Sequence, residues 1–245
     1  MLDAIEQICY DLSNKRSSKG TGMEPLRTGN ITIQCEDRAF KGYINGQGPG
    51  VLVLHAWWGL TPFFKELCDR LAAEGFCALA PDLHQGKTAR TIAEAEALMA
   101  KRDYERTRIV VATAANYLQS RPEVQGSRLA LVGFSMGAAW AIALSSLAPG
   151  QVAAAVLFYG VAEADFSTIR AAFQGHFGEE DDDTPIRYAD QMEAEMRAAG
   201  LQVTFYRYSG VGHWFFESDQ PAYYNENAAV LAWQRTLSFL REQNY

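Results

Sequence analysis

The sequence predicts an α/β protein, with a mainly parallel sheet that carries helices on both faces. Short apolar runs, several of them ended by Gly or Pro, alternate with segments of helical periodicity along most of the chain. Continuous apolar runs are typical of parallel strands that are buried on both faces. The alternation of strand and helix requires crossover connections, which place the helices above and below the sheet.

The predicted strands begin with a hairpin and continue with six apolar runs. Alternating side chains predict the hairpin strands at 31–36 and 39–45. The apolar runs that follow are 50–56, 75–82, 128–134, 152–160, 169–178 and 201–210. The helical patterns between and after them are 62–74, 91–118 (broken near 101–104), 136–147, 186–199 and 221–240.

Residues 1–27 are predicted to be an N-terminal extension, separate from the rest of the chain. A short helical pattern there is followed by the polar stretch SNKRSSKGTG, a composition typical of loops. Residues 28–245 are predicted to form one α/β domain. The chain has no internal repeat, and its 48% hydrophobic residues are enough for a single large core.

Composition and charge exclude several classes of function. The net charge of −7 argues against nucleic acid as a partner, which requires a basic face, and against attraction to anionic membranes. No apolar run approaches the roughly 18 residues of a membrane span, and the N-terminus lacks the long apolar region of a signal peptide. The four cysteines (Cys9, Cys35, Cys68 and Cys77) form no C-x-x-C pair, which favours reduced thiols in a cytoplasmic protein.

The stretch LALVGFSMGAAWAIAL at 129–144 carries the strongest local signal. A predicted strand ends just before Ser135 and a helical pattern starts just after it, with Gly133 and Gly137 two residues away on either side. A sharp strand-to-helix turn crowds the backbone, so small residues are needed at those two positions. A serine that only caps the helix is the ordinary alternative. The strand before it and the helix after it favour a nucleophile.

A serine nucleophile requires a base, which in this arrangement follows the last strand, while the acid comes between the two in the chain. Of the four histidines, His213 lies in a Gly-rich loop after the last apolar run, in YSGVGHWFF. His55 ends an early strand, and His84 lies in a loop after PDL. His176 lies within a predicted strand, where a hydrogen-bonded core histidine is expected. His213 is therefore the predicted base.

The acid is expected after the predicted strand at 169–178, where the chain has GHFGEEDDD. The residues alone do not distinguish Asp181, Asp182 and Asp183. A solvated acidic loop or a calcium-like cluster is the alternative, although the spacing does not match an EF-hand loop.

Taken together, these segments resemble the dienelactone hydrolase family of α/β-hydrolases. The similarity extends from about residue 30 to the end and includes VLVLHAWWGL, RLAAEGFCALAPDL, LVGFSMGA, HFGEEDDDTP, YSGVGHWF and YYNENAAVLAWQRTLSFL. The resemblance implies an α/β-hydrolase fold. It favours Asp181 as the acid, because Asp181 and Pro185 match the family's acid segment. It also places the first oxyanion donor at the backbone N–H of Trp57, while the second, Met136, follows from the turn geometry as well.

The sequence departs from the members that cleave dienelactone. They have Cys as nucleophile, where this chain has Ser135, and Glu beside the first oxyanion residue, where it has Ala56. Two arginines that hold the substrate carboxylate in those enzymes are replaced by Gly86 and Glu217. Glu217 is expected to repel an anion. Lys87, adjacent to Gly86 in the chain, is a cation but a poor substitute for a guanidinium. We therefore expect neutral esters to be preferred over dienelactone.

The sequence predicts a hydrolase that cleaves short neutral acyl esters or lactones through a Ser-His-Asp triad and an acyl-enzyme. The residues predicted to line an apolar pocket are Trp57, Trp58, Phe134, Trp214 and Phe215. No metal or organic cofactor is predicted, the expected partner is a small-molecule ester or lactone, and the chain is expected to be a monomer or homodimer. The alternatives are lactone, dienelactone or thioester hydrolysis or perhydrolysis on the same triad, and a catalytically silent protein that binds a small ligand.

Overall fold

One mixed sheet organises residues 28–35, 38–243 and 245, the part of the chain described by the structure, a computed structural model. The strands are β1 (Gly29–Cys35), β2 (Arg38–Asn45), β3 (Gly48–Leu54), β4 (Cys77–Pro81), β5 (Val124–Phe134), β6 (Val152–Phe158), β7 (Ala172–Gly178) and β8 (Val203–Tyr208). Their order in the sheet is β1-β2-β4-β3-β5-β6-β7-β8. β2 pairs antiparallel with both β1 and β4, and all other pairs are parallel. The carboxyl ends of seven strands, all except β2, therefore share one edge.

Helices cover both faces of this sheet. They are α1 (Pro62–Ala73), α2 (Ile92–Ala100), α3 (Tyr104–Gln119), α4 (Met136–Leu147), α5 (Ile186–Ala198) and α6 (Glu226–Arg241). α1 and α6 contribute to the core on one face, and α3, α4 and α5 to the core on the other. Along β3 the side chains alternate, since Val51 and Val53 belong to the first core and Leu52 and Leu54 to the second. The predicted α/β architecture is confirmed.

One predicted detail of the helices is present in the structure, and another differs from it. The predicted break near 101–104 separates α2 from α3, and the Asp103 side chain begins α3 by accepting from the Arg106 N–H at 3.0 Å. The last helix starts at Glu226 rather than at 221, because Asn225 caps it by accepting from the Ala228 N–H at 3.1 Å. The extension predicted at 1–27 lies outside the described residues.

None of the helices in the described ranges is both long and apolar enough to cross a membrane.

Candidate active site

Ser135 lies on a strained turn between β5 and α4. Its backbone has φ 50° and ψ −111°, a conformation that residues with a side chain rarely adopt. Gly133 and Gly137 have no room for a Cβ, which would collide with the carbonyls of Gly137 and Leu54, respectively. Gly160 is equally confined, because its Cβ would collide with the Ser135 carbonyl. This third glycine lies outside the G-x-S-x-G motif and was not predicted.

The structure brings the predicted nucleophile, base and acid into one hydrogen-bonded chain. The Ser135 Oγ lies 2.9 Å from Nε2 of His213, and Nδ1 of His213 lies 2.7 Å from Oδ2 of Asp181. A carboxylate can only accept, so Nδ1 carries the proton and Nε2 is left to accept from the serine hydroxyl. The acid itself is held in place by the Thr184 N–H, which donates to its Oδ1 at 2.7 Å. Both Asp181 and His213 are buried.

The three neighbouring aspartates occupy different environments. Asp181 is buried, whereas Asp182 and Asp183 are exposed. The ligand atoms of Asp181, Asp183 and His213 lie within 4.8 Å of one another, close enough to suit a metal ion. However, the Asp181 oxygens and His213 Nδ1 already bond to one another and to Thr184. This arrangement fits an orienting acid better than a metal centre.

Two backbone N–H groups beside Ser135 suit an oxyanion hole. Those of Trp57 and Met136 donate no hydrogen bond to another described residue, and both residues line the same cleft as Ser135. Met136 begins α4, so its N–H has no acceptor within the helix and lies at the positive end of the helix dipole. Free donors at this position can stabilise negative charge that develops on a bound substrate.

Two histidines that were not predicted to be the catalytic base form hydrogen bonds with the backbone around Trp57. His55 Nδ1 donates to the Ala56 carbonyl at 2.7 Å, and that carbonyl shares its peptide unit with the Trp57 N–H. His55 Nε2 accepts from the Leu83 N–H at 3.0 Å. His84 Nε2 donates to the Trp57 carbonyl at 3.1 Å. Burial lowers the pKa of His55 to about 3 and also lowers the pKa of His84, so both rings are neutral supports at pH 7.

A cleft of about 410 Å³ opens at Ser135, a size suited to a small molecule. Its lining residues are Trp57, Leu83, His84, Met99, Arg102, Tyr104, Thr107, Ser135, Met136, Ala139, Trp140 and Ala143. The wall is mostly apolar, as predicted, and Trp57 belongs to it as predicted.

The other four aromatic residues predicted for the pocket lie in the core instead: Trp58, Phe134, Trp214 and Phe215 are between 0% and 3% exposed. Phe134 stacks on Phe158 with 4.6 Å between ring centroids, and Trp58 packs edge-on against Trp214 at 5.1 Å. The prediction for these four residues is wrong. Adjacent side chains on buried strands and tight loops face in different directions, so proximity in sequence to a site residue does not bring a ring into the cleft.

Part of the cleft wall comes from α2, α3 and the turn between them, which were not predicted to belong to the site. Arg102 is the only Lys or Arg among the described residues that line the cleft. Its guanidinium lies over the Tyr104 ring, 4.3 Å from the centroid, and it forms no ion pair with a described carboxylate. The predicted break in the helix near 101–104 was the one sequence signal for this wall.

Two residues that were expected to set the charge of the pocket lie elsewhere. Glu217 is fully buried, and its Oε1 accepts from the Tyr159 hydroxyl at 2.7 Å. Burial raises the pKa of the Glu217 carboxyl well above its usual value, which favours its protonated form. Glu217 does not line the cleft, and Lys87 and Gly86 line a separate cavity. The expected contact of Glu217 with an anionic substrate in the pocket is therefore wrong.

The strand order, the serine on the turn after β5, and the histidine and carboxylate on later loops define the protein as an α/β-hydrolase. The chain belongs to the Dienelactone hydrolase family, whose model matches residues 39–244. The resemblance drawn from the sequence motifs is thereby confirmed, and the protein is a hydrolase of this family.

Individual relatives agree with this assignment. The "Putative carboxymethylenebutenolidase" of Aquifex aeolicus is 29% identical over 214 residues, which cover 82% of this chain and 92% of the relative. The "Probable 2-oxo-3-(5-oxofuran-2-ylidene)propanoate lactonase" of Bradyrhizobium is 27% identical over 214 residues, covering 81% of this chain and 85% of the relative. The solved structure of the "Putative Dienelactone Hydrolase" of Klebsiella pneumoniae has a TM-score of 0.77 at 25% identity, with 87% of this chain and 98% of that chain covered.

Proposed function

We propose that this protein hydrolyses carboxylic esters through an acyl-enzyme on Ser135, with short neutral acyl esters or lactones as substrates. The observation that carries the proposal is the hydrogen-bonded chain from Ser135 Oγ through His213 to Asp181, with distances of 2.9 and 2.7 Å. This chain has the partners and order of a Ser-His-Asp triad. It lies at a cleft large enough for a small ester.

In the proposed mechanism, Ser135 Oγ attacks the ester carbonyl carbon while His213 Nε2 takes the serine proton. Asp181 orients the imidazole and stabilises its protonated form. The N–H groups of Trp57 and Met136 donate to the oxyanion, and loss of one such donor commonly costs about 3 kcal/mol of transition-state stabilisation. His213 then gives its proton to the leaving alcohol, and water attacks the acyl-enzyme with His213 again as base.

The proposed substrate class rests on the apolar wall of the cleft and on the missing arginines. An anionic group that enters an apolar pocket loses hydration that only a cation can replace. The family's two arginines are absent, and Lys87 lies outside the cleft. A lactone is the second candidate substrate, because the names of the Aquifex aeolicus and Bradyrhizobium relatives describe lactone-cleaving enzymes. Thioester hydrolysis on the same triad has no feature of this cleft in its favour.

A fluorophosphonate probe tests the nucleophile. We expect it to label Ser135, and we expect Ser135→Ala to abolish labelling and to lower kcat for p-nitrophenyl acetate or butyrate by about four to six orders of magnitude. Ser127→Ala is the matched control, because Ser127 is exposed and does not line the cleft.

Alkylation of the thiols tests whether a cysteine, rather than Ser135, is the nucleophile. Cys68 and Cys77 are buried, and burial raises the pKa of both thiols, that of Cys77 to about 11. Iodoacetamide should therefore leave esterase activity largely intact. Strong inhibition that mutation of one cysteine removes would overturn the serine mechanism. A protein that neither reacts with the probe nor turns over any ester or lactone of a broad panel would be a silent binding protein instead.

A further inference from the structure

A second cavity, of about 490 Å³, lies on the other side of the loop that follows β4. It shares no lining residue with the cleft at Ser135. Its wall is largely polar and includes Lys41 from β2, Lys65 from α1 and Lys87 from the loop. We name this cavity the lysine groove. Three separate elements thus each contribute one lysine to the wall of a single cavity.

This clustering is unusual for a chain with a net charge of −7. The described ranges contain four lysines, at 41, 65, 87 and 101, and three of them line the lysine groove. None of these three forms an ion pair with a described carboxylate. Like charges repel one another, and no ion pair with a described carboxylate offsets the repulsion among these three lysines.

The carboxylate that lines the groove, Asp82, accepts hydrogen bonds from two backbone N–H groups. Its Oδ1 accepts from the His84 N–H at 2.9 Å, and its Oδ2 accepts from the Gly86 N–H. Lys65 Nζ donates to the Asn30 side-chain oxygen at 3.0 Å, an uncharged partner that orients the ammonium without neutralising it. The groove therefore combines three lysines with one carboxylate and further polar side chains, so the formal charge of its described lining is positive.

We propose that the lysine groove binds a small molecule that carries phosphate groups. Lysine is a compact point charge with three rotatable N–H donors, and it is a common ligand of phosphate oxygens. No arginine lines this groove among the described residues. The cavity volume lies within the range of small-molecule sites. The proposal concerns a site apart from the triad and does not depend on the proposed esterase activity.

The probe for this site is pyrophosphate, titrated calorimetrically into the full chain at low ionic strength. We expect saturable binding that weakens as salt is added. Each of Lys41→Gln, Lys65→Gln and Lys87→Gln should weaken binding about threefold and the triple variant about 30-fold, as expected for partly exposed charge pairs. Lys101→Gln is the matched control, since Lys101 is exposed and lies outside the groove, and its affinity should equal that of the wild type.

Several outcomes would overturn the proposal. They are a lack of pyrophosphate binding, unchanged binding by the triple variant, or an equal loss in Lys101→Gln. Citrate, a tricarboxylate of similar charge, separates phosphate recognition from charge alone, and equal affinity for citrate would refute the phosphate assignment. The thermal unfolding midpoint of each variant, measured without pyrophosphate, shows whether a loss of binding is a loss of fold.

Discussion

The two sides of the cleft are built from different kinds of structure. On one side, Ser135, Asp181 and His213 follow β5, β7 and β8, and a chain of hydrogen bonds joins them. On the other side, Arg102 lies in the turn between α2 and α3, Tyr104 begins α3, and both are exposed. The parallel strands hold the first side on a rigid scaffold, whereas the second can change without disturbing the sheet. The strand side therefore suits chemistry that needs strict geometry, and the helical side suits selection of substrates.

The largest effect that separates these sides is expected from the acid. Asp181→Asn should lower kcat for a neutral ester by about four orders of magnitude, because an amide at this position favours the wrong tautomer of His213. Asp182→Asn and Asp183→Asn are matched controls in the same loop and should stay near wild type, since both side chains are exposed. Steady-state kinetics of the three variants decide the assignment. If Asp183→Asn were the impaired variant instead, the exposed carboxylate of Asp183 would be the catalytic acid.

The buried histidines of the strand side should make the stability of the fold depend on pH. Burial lowers the pKa of His55 and of His176 to about 3 in each case, with a smaller effect of the same sign from His84 on the first and from Arg235 on the second. Both rings have the ordinary pKa of about 6.5 when the chain is unfolded. The unfolded chain then binds more protons between those values, so their contribution to stability is complete above pH 6.5 and is lost as the pH falls toward 3.

Denaturant unfolding at pH 7 and pH 5 measures this effect. The free energy of unfolding should fall by up to about 2 kcal/mol for each histidine, which is about 30-fold in the folding equilibrium. His176→Gln should reduce the difference in unfolding free energy between pH 7 and pH 5 by the contribution of one histidine. A wild-type stability that is equal at the two pH values would mean that these rings are hydrated and able to accept a proton in the folded protein.

A smaller effect is expected where the two sides of the cleft meet, at His84. This side chain lies in the cleft wall and donates to the Trp57 carbonyl. His84→Phe removes that donor, and we expect kcat to fall about tenfold with little change in KM, because complete loss of an oxyanion donor costs about 10²- to 10³-fold and a displaced donor costs less. His84→Gln retains a side-chain N–H and should recover part of the loss. A change confined to KM would assign His84 to substrate binding alone.

The strand side was also the part of the site that the sequence could predict. Ser135 follows from a local rule, since only certain residues tolerate the turn, and His213 follows from the order of elements along the chain. Asp181 could not be chosen from the residues alone, because three aspartates in a row differ only in tertiary burial and in the Thr184 N–H that one of them accepts. The family resemblance supplied that choice.

The helical side could not be predicted, for a physical reason. Met99 and Trp140 reach the cleft from helices that are distant in sequence, and no local pattern marks which helical face closes over the sheet edge. Glu217 was misplaced for the same reason. Its partner Tyr159 is 58 residues away, and burial between distant segments decides both its protonation and its direction.

The smallest expected effect concerns Arg102 and the charge of the substrate. Arg102 is the cation that the cleft offers in place of the family's arginines, but it is exposed and stacks on Tyr104. Exposed ion pairs contribute about 0.2 to 1 kcal/mol, so this single arginine is a poor replacement for two guanidinium groups. We therefore expect the wild type to turn over short neutral acyl esters with higher kcat/KM than dienelactone or other carboxylate-bearing lactones.

Arg102→Gln tests whether the helical wall selects by charge at all. For p-nitrophenyl esters whose acyl chain ends in a carboxylate, kcat/KM should fall about twofold to fivefold, in line with the loss of one exposed ion pair. For neutral esters of equal chain length, kcat/KM should be unchanged in Arg102→Gln. In Lys101→Gln, whose side chain lies outside the cleft, kcat/KM should be unchanged for both kinds of ester. An equal fall for both substrates would give Arg102 a structural role through its contact with Tyr104. A wild-type preference for dienelactone that Arg102→Gln abolishes would assign carboxylate recognition to the helical wall.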